Sequence, residues 1–282
     1  MKVAEKSKTF HTSFEDVDRM IADLTSDEAI RSEVSFLSKS WVKSVMSQPS
    51  KSNKDEKRSF EYSKKKLERY LLWRKENNVV DLVRANIQGT DQEFFVDIAE
   101  KSLYWYGVDR QGRPILWERF ERFDWKRMNS ERKLMYYILL FEAIFQVMPP
   151  EIDSICVVAI TDGIPYLRAM SRPRFFIDIA KLFTNVFPDR LGGFYGLTNA
   201  ATLAVSKILR PILPAKVRSK MHFYTRAKMC HELLHTVLPE GEDLPDFLGG
   251  SVVHDEEVIG NFSRMIFSIE SDMKKKQELC IY

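Results

Sequence analysis

Phe187-Pro188-Asp189-Arg190-Leu191-Gly192-Gly193-Phe194-Tyr195-Gly196-Leu197-Thr198-Asn199 is the stretch whose reading decides the fold. A helix ends at Phe187, Pro-Asp-Arg makes the turn, and a Gly-Gly pair feeds an apolar strand. Some fifty residues on, Leu244-Pro245-Asp246-Phe247-Leu248-Gly249-Gly250 is a rigid Leu-Pro segment closing on two glycines. Upstream, Gly107-Val108-Asp109-Arg110-Gln111-Gly112-Arg113-Pro114 separates two aromatic-rich runs, 102–107 and 114–120, and predicts a hairpin over a short loop.

Outward from these blocks the apolar pattern alternates between two periods. Residues 154–160 form a nearly continuous apolar run bounded by Asp162-Gly163, the mark of a buried strand. Helices are expected over 174–187, 200–213 and 227–238, and strands over 193–197 and 221–225. Strands separated by helices imply an α/β fold with a mainly parallel sheet. The first 85 residues read as all-helical. Ser13 opens a short helix, Thr25 with Glu28 forms a capping box for a helix running to about Met46, and residues 48–56 are a polar loop. From Phe60 the residues Leu67, Tyr70, Leu71 and Trp73 recur near helical period as far as Asn77-Asn78. Residues 131–147 predict an apolar helix broken by Pro149-Pro150.

The three blocks, in this order, resemble the Sec14-like CRAL-TRIO lipid-binding family. Its members carry Asp-x-x-Gly-Arg-Pro, then (Tyr/Phe)-Pro-(Glu/Asp)-Arg, then Leu-Pro-x-x-x-Gly-Gly. The resemblance covers roughly 60–250 and implies three parts: a helical unit over 1–88, a lipid-binding domain over 89–253 and a tail over 254–282. It implies a sheet flooring an apolar cavity, and candidate lining is Tyr136, Tyr137, Ile155, Val157, Phe175, Phe176, Ile179 and Phe183. It also implies a mobile gate at 200–213, with Leu203, Ile208, Leu209, Ile212 and Leu213 as the apolar residues. Lys207, Arg210, Lys216 and Arg218 would then meet anionic headgroups from a basic amphipathic helix. Enclosure is essential to such a protein, because exposing one sixteen-carbon chain to water costs on the order of 12 kcal/mol.

By resemblance, inositol-lipid headgroups fall to Asp189, whose carboxylate can accept hydroxyls, and Lys220, whose ammonium can meet a phosphate. Two features depart from the family. The arginines of its Phe-Leu-Arg-x-Arg element are missing from Phe36-Leu37-Ser38-Lys39-Ser40-Trp41. The strand hydroxyls of choline-lipid binders are replaced by Ile155 and Val157, which disfavours choline headgroups. The expectation is therefore lipid binding and intermembrane transfer, of phosphatidylinositol or a related lipid, without catalysis or cofactor. A sensing scaffold that presents lipid to a kinase or GTPase regulator is the alternative.

Composition narrows the rest. The 43 basic and 40 acidic residues nearly cancel, leaving +3, so the total charge does not argue for nucleic acid. Cys156, Cys230 and Cys280 are odd in number and unpatterned, as expected of reduced thiols in a cytoplasmic chain of 282 residues, which is expected to be a monomer. The opening MKVAEKSKTF carries no apolar core for a secretory signal, and no run of eighteen apolar residues follows, so membrane contact is expected to be peripheral. His231-Glu232-Leu233-Leu234-His235 matches the H-E-x-x-H zinc motif. A third ligand is missing at the extended motif's positions, where Leu238 and Gly241 stand, and Glu256 or Glu257 would be distant substitutes. The motif is therefore read as two surface histidines around an inward Leu-Leu pair, with no metal and a zinc peptidase as the remote alternative.

Overall fold

A computed structural model of the chain describes residues 10–50, 53, 55–79, 102–122, 137–138, 140–142, 144–145, 148–149, 151–161, 182–199, 203, 206–207, 211, 213 and 215–254. Three N-terminal helices, α1 (Phe14–Thr25), α2 (Lys39–Met46) and α3 (Phe60–Glu76), begin with the same device. Ser13, Ser38 and Ser59 each accept a backbone N–H through Oγ, from Asp16 at 3.1 Å, Trp41 at 3.3 Å and Tyr62 at 3.2 Å. Such a cap contributes about 1 kcal/mol by satisfying a donor that the helix leaves orphaned.

The capping box expected at Thr25 is not formed. Thr25 closes α1, and its hydroxyl donates to the Ile21 carbonyl at 2.7 Å. An Asp27 side chain accepting from Ala29 N at 2.9 Å then turns the chain. Local bonds of this kind compete with helix. The expected single helix to Met46 is accordingly split into a 3₁₀ turn, Arg31–Phe36, and α2.

The sheet has five strands in sequential order: β1 (Leu103–Val108), β2 (Pro114–Arg119), β3 (Ile155–Ile160), β4 (Leu191–Leu197) and β5 (Met221–Tyr224). β1 and β2 form the antiparallel hairpin, and the other three pairings are parallel. Asp109 builds the hairpin turn. Its carboxylate accepts from the backbone of Gln111 at 2.9 Å and of Arg113 at 3.0 Å, and from Arg113 Nε at 2.6 Å. β2 and β3 are buried along their whole length, as parallel strands covered on both faces require.

Alternation gives the two faces different neighbours. Leu116, Glu118, Val157 and Ala159 share one face, while Ile115, Trp117, Cys156 and Val158 share the other. On the first face the Tyr137 hydroxyl bonds the Glu118 carboxylate. On the second, Trp117 meets Phe247 and His254 edge-on at 5.8 and 5.3 Å. α4 (Arg226–Glu232) continues into a π-helical turn, Leu233–Val237, whose Leu233 and Val237 are buried. No helix among the described residues is long and apolar enough to cross a membrane.

The helical unit packs on the α/β domain through aromatic rings. Trp41 meets Tyr70 at 4.7 Å, Tyr70 meets Phe187 at 5.8 Å, and Phe187 meets Phe141 and Phe145 at 5.6 and 5.4 Å. The turn that opened the sequence reading therefore lies at this seam.

Candidate functional site

Each residue of the Phe-Pro-Asp-Arg turn is held by a different partner. Phe187 is wholly buried, and the Pro188 carbonyl accepts from Trp41 Nε1 at 2.9 Å. The Arg190 guanidinium lies between the Trp41 and Phe145 rings, 4.1 and 4.2 Å from their centroids, and donates to the Asp153 carbonyl at 3.2 Å. Gly192 passes so close to Arg113 that a Cβ there would strike the guanidinium. Fixed on both sides, Asp189 adopts a left-handed φ of 66°, a conformation that aspartate tolerates better than most residues.

The Asp189 side chain is 4% exposed and holds two cations. Arg58 Nη1 donates to Oδ2 at 2.9 Å, and the Lys216 ammonium donates to Oδ1. Lys216 also donates to Gln48 Oε1 at 2.6 Å, and Arg58 Nη1 to the Val45 carbonyl at 2.8 Å. Burial raises the Asp189 pKa, but Lys216 and then Arg58 outweigh it and bring it down to about 2. The carboxylate is therefore ionised throughout the physiological range.

Lys66 and Lys220 add two further cations within electrostatic reach. Lys220 donates through its ammonium to the Leu191 carbonyl, and its own carbonyl accepts from Phe194 N at 2.9 Å. Burial, then Lys216, lowers the Lys220 pKa to about 8. Lys66 and Lys216 are lowered as well, chiefly by burial. Four cations thus surround Asp189, with Asp153 a second carboxylate within electrostatic reach of Lys216 and Lys220, and three of the four are harder to charge than usual. An anion in their midst would relieve that strain, because opposite charge favours the protonated ammonium.

Asp189 and Lys220 are brought to the same corner, at the amino ends of β4 and β5. They are not bonded directly, and both oxygens of Asp189 are occupied by Lys216 and Arg58. Lys216, assigned from the sequence to membrane contact, is part of this cluster, held by the single helical turn Ala215–Arg218. Lys207 is exposed and Arg218 half-buried. Of the cavity candidates, Tyr137, Ile155, Val157 and Phe183 are buried. Among the gate residues, Leu203 is 38% exposed and Leu213 buried. Tyr136, Phe175, Phe176, Ile179, Ile208, Leu209, Arg210 and Ile212 lie outside the described residues.

Arg58, Gln48 and Lys66 were missed in the sequence. Arg58 stands immediately before the α3 cap, where the polar 48–56 loop closes through a Pro49–Lys57 bridge. A cation at that junction was the available signal. His231 and His235 are exposed with ring centroids 4.4 Å apart, and Leu233 points inward, as expected. No group of three or more metal-ligating side chains occurs among the described residues.

A model of the CRAL/TRIO domain matches residues 99–250, more than half of the chain. The chain belongs to the CRAL/TRIO domain family. It is 28% identical over 204 residues to the phosphatidylinositol/phosphatidylcholine transfer protein SFH9 of Arabidopsis thaliana, covering 65% of this chain but only 33% of that relative. It is 25% identical over 219 residues to the SEC14 cytosolic factor of Candida glabrata, covering 70% of this chain and 68% of that protein. The crystal structure of Sfh5 superposes with a TM-score of 0.54 at 12% identity, over 80% of this chain and 85% of that one, which shows a shared fold.

Proposed function

We propose that this protein binds phosphatidylinositol or a closely related inositol lipid in a gated apolar cavity and carries it between membranes. The observation that supports this reading is the excess of positive charge around Asp189. One buried carboxylate holds Arg58 and Lys216 in place, leaving Lys66 and Lys220 to meet a phosphate. Lysines suit this task because an ammonium meets phosphate as a point charge from many directions. Lone pairs remaining on the Asp189 oxygens can accept inositol hydroxyls.

The same cluster bears on gating. Lys216 follows the gate segment directly, and its bonds to Asp189 and Gln48 tie that segment to the turn and to the helical unit. A headgroup phosphate competing for Lys216 would couple ligand binding to the position of the gate. Apolar Ile155 and Val157, both buried, give a choline headgroup phosphate no hydroxyl on β3. Work on cytoplasmic faces of anionic membranes, by a peripheral and reversible contact, fits these assignments.

Mass spectrometry of lipids bound to the purified native chain tests the reading. Inositol lipids enriched over choline lipids are expected. Choline lipids or sterols in their place would overturn it, and tight inositol-lipid binding with slow vesicle exchange would move the assignment to a lipid sensor.

A further inference from the structure

The face of the sheet opposite Tyr137 carries a cleft of about 340 Å³, between the hairpin and the segment that follows the π-helical turn. Tyr106, Val108 and Trp117 line it from the hairpin, and Leu238, Glu242 and His254 from the C-terminal side. It is walled by aromatic rings: His254 lies 4.2 Å from the Tyr106 ring and 5.3 Å from that of Trp117, centroid to centroid. Its volume falls in the range of ligand pockets, roughly 300–1,000 Å³. Nothing in the lipid reading uses it.

Its floor holds an unanswered polar group. His254 is 3% exposed, and among the described residues its Nε2 has no hydrogen-bond partner. The tautomer follows from the bonds on the other side of the ring. Tyr104 is fully buried, and among the described residues its hydroxyl has one hydrogen-bond partner, the His254 ring. That hydroxyl lies 2.9 Å from His254 Nδ1. The phenolic proton must therefore go to Nδ1, since any other arrangement leaves a buried O–H unpaired. Nε2 then carries the proton, and a buried N–H donor lines the cleft.

The rim is acidic. Asp243 is spent on the turn, accepting from Leu244 N at 2.7 Å and from Ser251 N and Oγ at 2.8 and 2.7 Å. Glu242 is exposed, and among the described residues its carboxylate has no side-chain bond. Of the nearby cations, Arg110 is committed to the Leu238 and Leu234 carbonyls at 2.7 and 3.1 Å, and Arg119 donates to Glu121 at 2.6 Å and lies over the Phe247 ring. Val108 and Val253, 41% and 56% exposed, stand at or beside the cleft as uncovered apolar surface.

We propose that this cleft is a second, separate binding site for a small organic cation with an apolar or aromatic body and one hydrogen-bond acceptor. The acceptor takes the His254 Nε2 proton, the body lies against Tyr106 and Trp117, and the positive charge meets Glu242. Aromatic faces attract cations in the same sense. A carboxylate ligand would satisfy His254 but be repelled at the rim.

Histidine-selective ¹⁵N NMR of the full chain tests the proposal, with L-phenylalanine amide as the probe. The expected result is a saturable shift of the His254 Nε2–H resonance. Glu242→Gln, an exposed substitution, should weaken the probe about threefold, the effect of one exposed charge pair. N-acetyl-L-phenylalanine, which keeps the ring and carbonyl but is an anion, should bind more weakly by at least about the same factor. No saturable shift, equal binding of amide and anion, or indifference to Glu242→Gln would each overturn the proposal. Lipid exchange plays no part in this readout, so the two sites stand or fall separately.

Discussion

Two buried ionic clusters flank the seam between the helical unit and the sheet, and they are balanced differently. Around Arg74, which is wholly buried, the charges close. Its Nε donates to Glu33 at 2.8 Å and its Nη1 to Glu142, while Tyr70 donates to Glu142 at 3.0 Å. Arg190 lies within electrostatic reach of Asp153 and Glu142, so each cation of this cluster is matched by carboxylates. Around Asp189 the charges do not close, and Lys216 keeps 41% of its side chain exposed. A buried cluster of matched charges fixes how the two units dock. An open cluster with surplus charge of one sign is prepared for a ligand of the other sign.

The contrast can be broken first at its structural half. Arg74→Met strands Glu33 and Glu142 in the interior and is expected to cost about 3–5 kcal/mol, read from urea unfolding. Asp189→Asn keeps the left-handed turn but removes the counter-charge of the buried Arg58, and about 2–3 kcal/mol is expected. That difference carries a pH signature. The Asp189 pKa is depressed to about 2 from 3.8, so its contribution is complete above 3.8 and disappears as pH falls through 2. Unfolding curves of the two proteins should converge in that acid window.

Lys220 sharpens the functional half. Its pKa is lowered to about 8 from 10.5, so between those values the unfolded chain holds the proton more tightly. The penalty for charging Lys220 is complete below pH 8, and stability without ligand should rise as pH climbs from 8 towards 10.5. The rise relative to Lys220→Met should be on the order of 1 kcal/mol, after allowing for partial exposure. Inositol-lipid binding should run the other way and weaken above pH 8, as the ammonium loses its proton. The smallest effect is expected at the exposed histidines. His231→Ala with His235→Ala should leave stability within about 0.5 kcal/mol and lipid exchange unchanged.

Much of the architecture was legible because it is local. The β1–β2 hairpin follows from Asp109 and the aromatic runs beside it, and β3 from an unbroken apolar stretch. Ser13 marked α1 correctly, whereas Thr25-x-x-Glu28 matched a capping pattern that the Asp27 turn defeats. At the site, Asp189 and Lys220 were legible from the family's motifs. Arg58 was not, because its pairing with Asp189 spans 131 positions of chain and no periodicity encodes such a contact. The pairing of Lys216 with Asp189 was hidden for the same reason: it is set by tertiary structure alone. The N-terminal arginines of the family element are absent from this chain, and Arg58 is the residue that brings a guanidinium to the turn.

In the proposed function, surplus cations around Asp189 hold the phosphate of an inositol lipid. Transfer of phosphatidylinositol and of phosphatidylcholine between vesicles at pH 7, by the native chain and by Lys220→Ala, tests it most directly. Inositol-lipid transfer by the native chain is expected to fall at least about tenfold in the variant, the loss of one charge-assisted contact to phosphate. Inositol-lipid transfer left unchanged by Lys220→Ala, or lost in parallel with an equally strong choline-lipid transfer, would contradict it.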